Sequence, residues 1–324
     1  MEVLDFMKKT ALLVLFIFIM SLIACRPAQK HENDSALNGR LIISGAWALY
    51  PLAVSWAEEF KEIHPGVKIE ISAGGAGKGM ADVLSGLVDL AMVSREIYPQ
   101  EIEQGAFFIP VAVDAVVPTV NHGNPVLGVL KEKGMKKDIF LRLWIKGEKL
   151  DWGLIYGQGT VGEINIYTRS DACGAAATFA AFLDKMQEDL QGTGIYGDPG
   201  MVTAVRDDRL GIGYNNINFV YDKDTRCPVE GVDVIPVDLN ENGILDESEN
   251  FYSTLDLMVN AVSEGRYPAP PARELYFVSK GKPPEGLAKE FLIYVLAQGQ
   301  QLNLEAGYVS ISEDKIKLAL DKLR

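Results

Sequence analysis

Residues Leu41–Ile97 read LIISGAWALYPLAVSWAEEFKEIHPGVKIEISAGGAGKGMADVLSGLVDLAMVSREI, and the order of hydrophobic periods within them decides the fold. Leu41-Ile42-Ile43 is a short β run that meets a turn at Ser44-Gly45. Pro51 then stands where the first turn of a helix accepts proline. Ala53, Trp56, Ala57, Phe60 and Ile63 follow at helical spacing, with Glu58, Glu59, Lys61 and Glu62 between them, which predicts an amphipathic helix. Val67, Ile69 and Ile71 alternate with Lys68 and Glu70 as a strand. The turn Gly74–Gly79 leads into a second helix through Met80, Val83 and Leu84, and Leu90–Val93 is the next apolar run. Strand, tight turn, helix and strand in that order predict a parallel sheet with flanking helices.

The theme returns further along. Glu163–Thr168 reads as a strand, Asp171–Gly174 as a turn and Ala175–Leu183 as a helix. A helix carrying Val202, Val205 and Arg206 precedes a strand at Leu210–Tyr214. The C-terminal region has a helix near Leu255–Glu264, a turn rich in proline (Pro268, Pro270, Pro271) and a strand at Leu275–Val278. Helices near Leu287–Ala297 and Ser312–Leu323 follow, with Ser310 and Glu313 as a capping box for the last.

Composition narrows the function classes. The 324 residues are 48% hydrophobic and 23% charged, an ordinary globular balance. The net charge of −13 lacks the positive field that a nucleic-acid binder needs. Three cysteines cannot build a disulfide framework, and His31, His64 and His122 lie too far apart for a zinc pattern. At the N-terminus Lys8 and Lys9 precede an apolar run, Ala11–Ile23, that ends in Leu22-Ile23-Ala24-Cys25. A basic region followed by a short apolar one reads as a secretory signal over residues 1–24. Its end resembles the bacterial lipobox, which implies cleavage before Cys25, lipid on that thiol, and a body on the outer face of the cytoplasmic membrane or in the periplasm. Residues 25–38 read as a polar tether. Whether Cys173 and Cys227 pair is left open.

Two glycine patterns mislead. Gly157–Gly162 fits GxGxxG, but Glu163–Tyr167 after it reads as a strand, whereas a dinucleotide fingerprint opens a helix. Gly77-Lys78 looks like the end of a P-loop, but Gly79 takes the place of the Ser/Thr that would hold magnesium. A recurrence carries more weight: the turns at Gly45–Pro51, Gly74–Gly79 and Cys173–Thr178 each open a helix, and helix N-termini attract anions. Arg95 and Arg169 lie near the second and third of these turns.

The stretch from Ser44 to Ile97, with IYTRSDACGAAATFAAFL (166–183) and DDRLGIGYNN (207–216), resembles the phosphate-binding proteins of bacterial ABC transporters. The resemblance implies a two-lobed periplasmic-binding-protein type II fold, each lobe an α/β unit with a mixed, mostly parallel sheet, joined by crossover strands. It implies a discontinuous first lobe, 39–115 plus 256–324, around a second lobe at 116–255. It also implies a monomer that takes a small inorganic anion, phosphate foremost, delivers it to ABC permease subunits and performs no catalysis. Carried over position by position, the ligand contacts fall on Trp47, Ala48, Leu49, Ala76, Gly77, Ser94, Arg95, Arg169, Asp171, Cys173, Gly174 and Ala175. By the same resemblance, Ala46, Trp47 and Ala48 stand where the family's first loop offers Ser/Thr hydroxyls, Ala76 where its second offers a serine, and Cys173 and Ala175 where its third offers a serine and a threonine. A different anion, or a sensory or adhesion module on the same fold, are the alternatives.

A second motif lies outside that pattern. Residues 238–249, DLNENGILDESE, fit the calcium-loop pattern D-x-[DN]-x-[DN]-G-x5-E. Asp238, Asn240, Asn242, the Ile244 carbonyl, Asp246 and Glu249 would supply the oxygens, with Gly243 at the sharp turn. Leu245 is expected to point inward, and a helix is expected after the loop.

Overall fold

The computed structural model describes residues 37–324. The signal segment, Cys25 and most of the tether therefore lie outside the described residues. β1 (Asn38–Gly45) is longer than its apolar core, so Asn38 belongs to the sheet and not to the tether. β1 pairs in parallel with β2 (Gly66–Ala73) and β3 (Leu90–Val93). Helix α1 (Tyr50–Ile63) lies between β1 and β2, and α2 (Ala76–Leu84) between β2 and β3. Trp56, Ala57 and Phe60 of α1 are buried as the helical period requires.

The chain then runs along β4 (Ala106–Asn121), sixteen residues long. Its second half pairs antiparallel with β8 (Gly211–Asn216), which pairs in parallel with β6 (Asn165–Arg169), and β6 with β7 (Thr193–Ile195). β5 (Met135–Lys136) and β10 (Val237–Asp238) form a separate short pair, and β9 (Val232–Val234) adds to β4. β11 (Ala272–Lys280) returns between β3 and β4, antiparallel to both. The result is a mixed nine-stranded sheet in the order β2-β1-β3-β11-β4-β8-β6-β7, with β9 beside β4. It is parallel within each end and antiparallel through the two long strands that join them. The other long helices are α3 (Gly174–Phe182), α4 (Gly197–Asp207), α5 (Leu255–Ser263), α6 (Leu287–Ala297) and α7 (Glu313–Leu323).

Two hydrophobic cores occupy the two ends. One draws on residues 41–112 and 275–323, the other on residues 115–272. Helix α5, expected with the first lobe, packs Leu255, Met258, Val259 and Val262 into the second core. An amphipathic stripe fixes that a helix is buried, not which core receives it, and here the chain does not return until β11. The last helix is capped by Ser312, whose hydroxyl accepts from Lys315 N, and not by Ser310, which donates to the Gln300 carbonyl. No helix among the described residues is long and apolar enough to cross a membrane.

Candidate functional site

The loops that follow β1, β2 and β6 meet between the two cores. The first leaves β1 at Gly45 and forms a single 3-10 turn, Trp47–Leu49, before α1. The second wraps onto it, with Gly74 N and Gly75 N donating to the Gly45 carbonyl at 2.9 and 3.0 Å. The third is contributed by the other core, and contact is direct: Gly77 N donates to the Ala172 carbonyl at 3.0 Å. Gly174 lies so close to Ser94 that a Cβ there would stand 2.1 Å from both its carbonyl and its hydroxyl oxygen. Trp47 packs edge-on against Tyr196 and Phe219, and its indole Nε1 is buried without a hydrogen-bond partner among the described residues.

Arg169, the last residue of β6, is buried at this junction. Its Nε and Nη2 donate to the two oxygens of Asp171 at 2.8 and 2.7 Å, and Nη1 donates to Asp198 Oδ2 at 2.7 Å. Burial works against its charge, but Asp198 and Asp171 more than offset that and raise its pKa above the ordinary value. Asp198, in the first turn of α4, also accepts from Asn216 N and Nδ2 at 3.0 and 2.8 Å. Asn216 Oδ1 in turn accepts from Arg273 of β11. Arg273 bonds Asp114 of β4 through Nε at 3.0 Å and the Gly174 carbonyl through Nη1 at 2.6 Å. Burial pushes the Asp114 carboxyl up to about 6, against the pull of Arg273. Two guanidinium groups thus face three carboxylates in one hydrogen-bonded chain that runs from the third loop to both crossover strands.

Most residues expected at the site are brought here: Trp47, Ala76, Gly77, Asp171, Cys173, Gly174 and Ala175 lie on the converging loops or the helix starts they lead into, Arg169 ends β6, and Ser94, just after β3, lies against Gly174. The side chains of Ala48, Leu49 and Ala76 lie in the first core and those of Cys173 and Ala175 in the second, and the Ala48 carbonyl accepts from Tyr308 Oη at 2.7 Å. Arg95 is held within its own turn, donating to Glu101 at 2.7 and 3.0 Å and stacking 4.1 Å over Tyr98. Its guanidinium is thus paired with one carboxylate, Glu101, as that of Arg169 is with Asp171 and Asp198. Cys173 caps α3, its Sγ accepting from Ala176 N at 3.5 Å. Burial pushes its thiol up to about 12, so it is neutral and no nucleophile at ordinary pH. Cys173 and Cys227 are both free, one buried and one exposed. Sequence reasoning does not reach Asp198, Asn216, Arg273 and Asp114; Asp114, the one charged residue of β4, is the faint signal.

Elsewhere on the second lobe, a cavity of about 560 Å³ is walled by Val229, Val232 and Tyr252. Asp233 on its lining bonds His122 and Lys131, each at 2.9 Å, and none of its residues belongs to the three loops.

The loop 238–249 starts at the end of β10. Asp238 Oδ2 accepts from Gly243 N at 2.8 Å, and Glu249 Oε1 accepts from Asn240 N at 2.8 Å. Gly243 has a φ of 85°, the left-handed turn that glycine permits. Leu245 packs partly buried against the second core. The loop exits through a turn, with Glu249 N donating to the Asp246 carbonyl, and the helix waits until Leu255. Among the described residues, no three His, Cys, Asp or Glu side chains form a ready metal cluster.

The family model of the PBP superfamily domain matches residues 30–298. The chain is similar to the phosphate-binding protein PstS of Bacillus subtilis, at 28% identity over 96% of this chain and 97% of that one. It is similar to the PstS of Pseudomonas aeruginosa at 26% identity, over 91% and 90% respectively. Among solved structures it resembles a Clostridium perfringens protein assigned as a phosphate ABC transporter substrate-binding protein, with phosphate bound. That match has a TM-score of 0.69 and 21% identity, covering 85% of this chain and all of that one. An ABC-type phosphate transport receptor from Vibrio cholerae matches with a TM-score of 0.60 at 18% identity, over 84% of this chain and all of that one.

Proposed function

The chain belongs to the PBP superfamily, and on that premise we propose that it is an extracytoplasmic, lipid-anchored solute-binding protein of an ABC importer. Its cargo is a small oxyanion, phosphate foremost, taken up between the lobes as they close about β4 and β11. Cys25 carries the lipid, and the loaded monomer docks on the permease. It performs no chemistry on what it binds.

The observation that carries this reading is Arg169, a guanidinium buried where the loops of both lobes meet the N-termini of α2, α3 and α4. Such termini present backbone N–H groups and a partial positive charge, and the relatives named for phosphate binding align along almost the whole chain. The indole Nε1 of Trp47 is a further donor at the junction, beside loops stripped of hydroxyls at Ala76 and Ala175. Each missing neutral hydrogen bond weakens the site by ~0.5–1.5 kcal/mol. The same loss favours a second reading, an oxyanion other than phosphate that asks for fewer hydrogen bonds.

The test is calorimetry on protein unfolded and refolded to strip any ligand, with phosphate, arsenate, sulfate and tungstate. One of them should bind, and if it is phosphate, Ala175→Thr should tighten it by ~2- to 10-fold, the worth of one recovered hydrogen bond. Failure of all four anions to bind rejects the reading.

A further inference from the structure

We propose that residues 238–249 are a calcium site that braces the second lobe. The inference stands apart from the anion reading. It rests on two buried carboxylates, at the first and last positions of the loop, with 1% and 5% of their surface exposed. Asp238 uses Oδ2 to hold Gly243 N, and its Oδ1 is buried with no hydrogen-bond partner among the described residues. Glu249 uses Oε1 to hold Asn240 N, and its Oε2 is likewise buried without one. Each carboxylate therefore pins the loop with one oxygen and keeps a desolvated oxygen in reserve.

A buried carboxylate oxygen with no donor is unfavourable, and two of them on one short loop are more so unless a cation lies between. The nearby ammonium does not fill that role: Lys136 Nζ donates to the Glu241 carbonyl. The remaining side chains are of the right kind. Asn240 Oδ1 and Asn242 Oδ1 accept from Asn242 N and Ile244 N at 3.0 and 2.8 Å, which turns both amides into the loop. Asp246 Oδ2 accepts from Nδ2 of both asparagines, at 2.7 and 2.8 Å, so the third carboxylate lies over the same space.

With the Ile244 carbonyl and Glu249 Oε2, the donors are all oxygens and number six, or seven where Oε1 serves the ion as well as Asn240 N. That count and hardness suit calcium; magnesium demands six in strict octahedral order, and zinc prefers nitrogen and sulfur. The ion would tie β10 to Glu249 and so to the buried rings of Phe251 and Tyr252 that follow. Leu245 N, bonded to the Glu132 carbonyl at 3.0 Å, fixes the loop's middle to the same lobe.

The test uses the full chain stripped with EGTA. Titration with CaCl2 should show one ion bound per chain, with melting raised by several degrees, and MgCl2 at equal concentration should do less. Glu249→Gln keeps the shape and removes the charge, and should weaken calcium binding by at least about tenfold, since ligand charge tunes such sites. Asp246→Asn, at the partly exposed position, controls for misfolding of the buried Glu249→Gln variant and should also weaken binding, without the added calcium-free destabilisation. Wild-type protein that neither binds calcium nor melts higher in it overturns the proposal. So does undiminished binding in both variants, or a preference for magnesium.

Discussion

Asp198→Asn removes one of the two carboxylates that hold Arg169 while keeping the side chain's shape. Asp198 accepts three N–H groups, from Arg169 Nη1, Asn216 N and Asn216 Nδ2, and an amide can offer one oxygen where the carboxylate offers two. Asn216 cannot turn to help, because its own Oδ1 is held by Arg273. Removing one partner of a buried ion pair typically costs ~3–5 kcal/mol, so the variant should melt lower. Anion binding should move the other way. An oxyanion in hydrogen-bond reach of the free Arg169 protons would lie roughly 5 Å from the Asp198 carboxylate, where two unit charges at an effective dielectric of ~20 repel by about 3 kcal/mol. Lifting that repulsion should tighten binding by about two powers of ten. Burial keeps salt from screening the effect away. Calorimetry with phosphate at neutral pH measures the affinity, and melting with and without phosphate measures the linked stabilisation, which should be larger in the variant than in wild type. A folded Asp198→Asn protein that binds phosphate no better than wild type refutes the view that the internal carboxylates compete with the ligand for Arg169.

Three further outcomes can be measured, two from the structure and one from the sequence of the N-terminus. Asp114 has a folded pKa of about 6 against an ordinary 3.8, so the folded state holds its proton the more tightly. The stability this confers is fully present below about pH 4 and is lost as pH rises through 6. Relative to Asp114→Asn, wild type should lose roughly 3 kcal/mol between pH 4 and 7, and urea midpoints that keep a constant difference would contradict it. Gly174→Ala places a methyl group 2.1 Å from Ser94 oxygens and should destabilise the closed loops by ~1–3 kcal/mol, read as a lower melting temperature and weaker anion binding. Unchanged melting would mean that the approach is not maintained in solution. Cys25→Ser should leave the protein unprocessed or free of membranes, and normal membrane attachment of that variant counts against the anchor.

The parts that could be read from the sequence are those whose partners are close in the chain. The β1–α1–β2–α2–β3 succession follows from local periods, and all the proposed calcium ligands fall within twelve residues. Long-range partners left little trace. Asp198 sits in Gly197-Asp198-Pro199-Gly200, and only the pairing of β6 with β7, which sets Arg169 opposite Ile195, carries it to Arg169. Arg273 lies just before the apolar run Leu275–Val278 from which the strand is read, and its partner Asp114 is on the strand alongside. β4 is a further case: Pro110 and Pro118 argue locally against an interior strand. The structure accommodates Pro110 with a register shift opposite Leu275 and Tyr276. The capping serine was misplaced by two residues because Ser310 and Ser312 offer the same chemistry, and only packing chooses between them.

The two cores also differ in how the chain supplies them. The second is one uninterrupted segment, residues 115–272, while the first joins Leu41 to Leu323. A chain made or threaded from its N-terminus therefore has everything the second lobe needs well before the first lobe can close. The opening β1–β3 unit must wait, its apolar face exposed, until β11, α6 and α7 arrive. Truncation of even the last helix should thus harm the half of the molecule that was made first, and leave the middle able to fold.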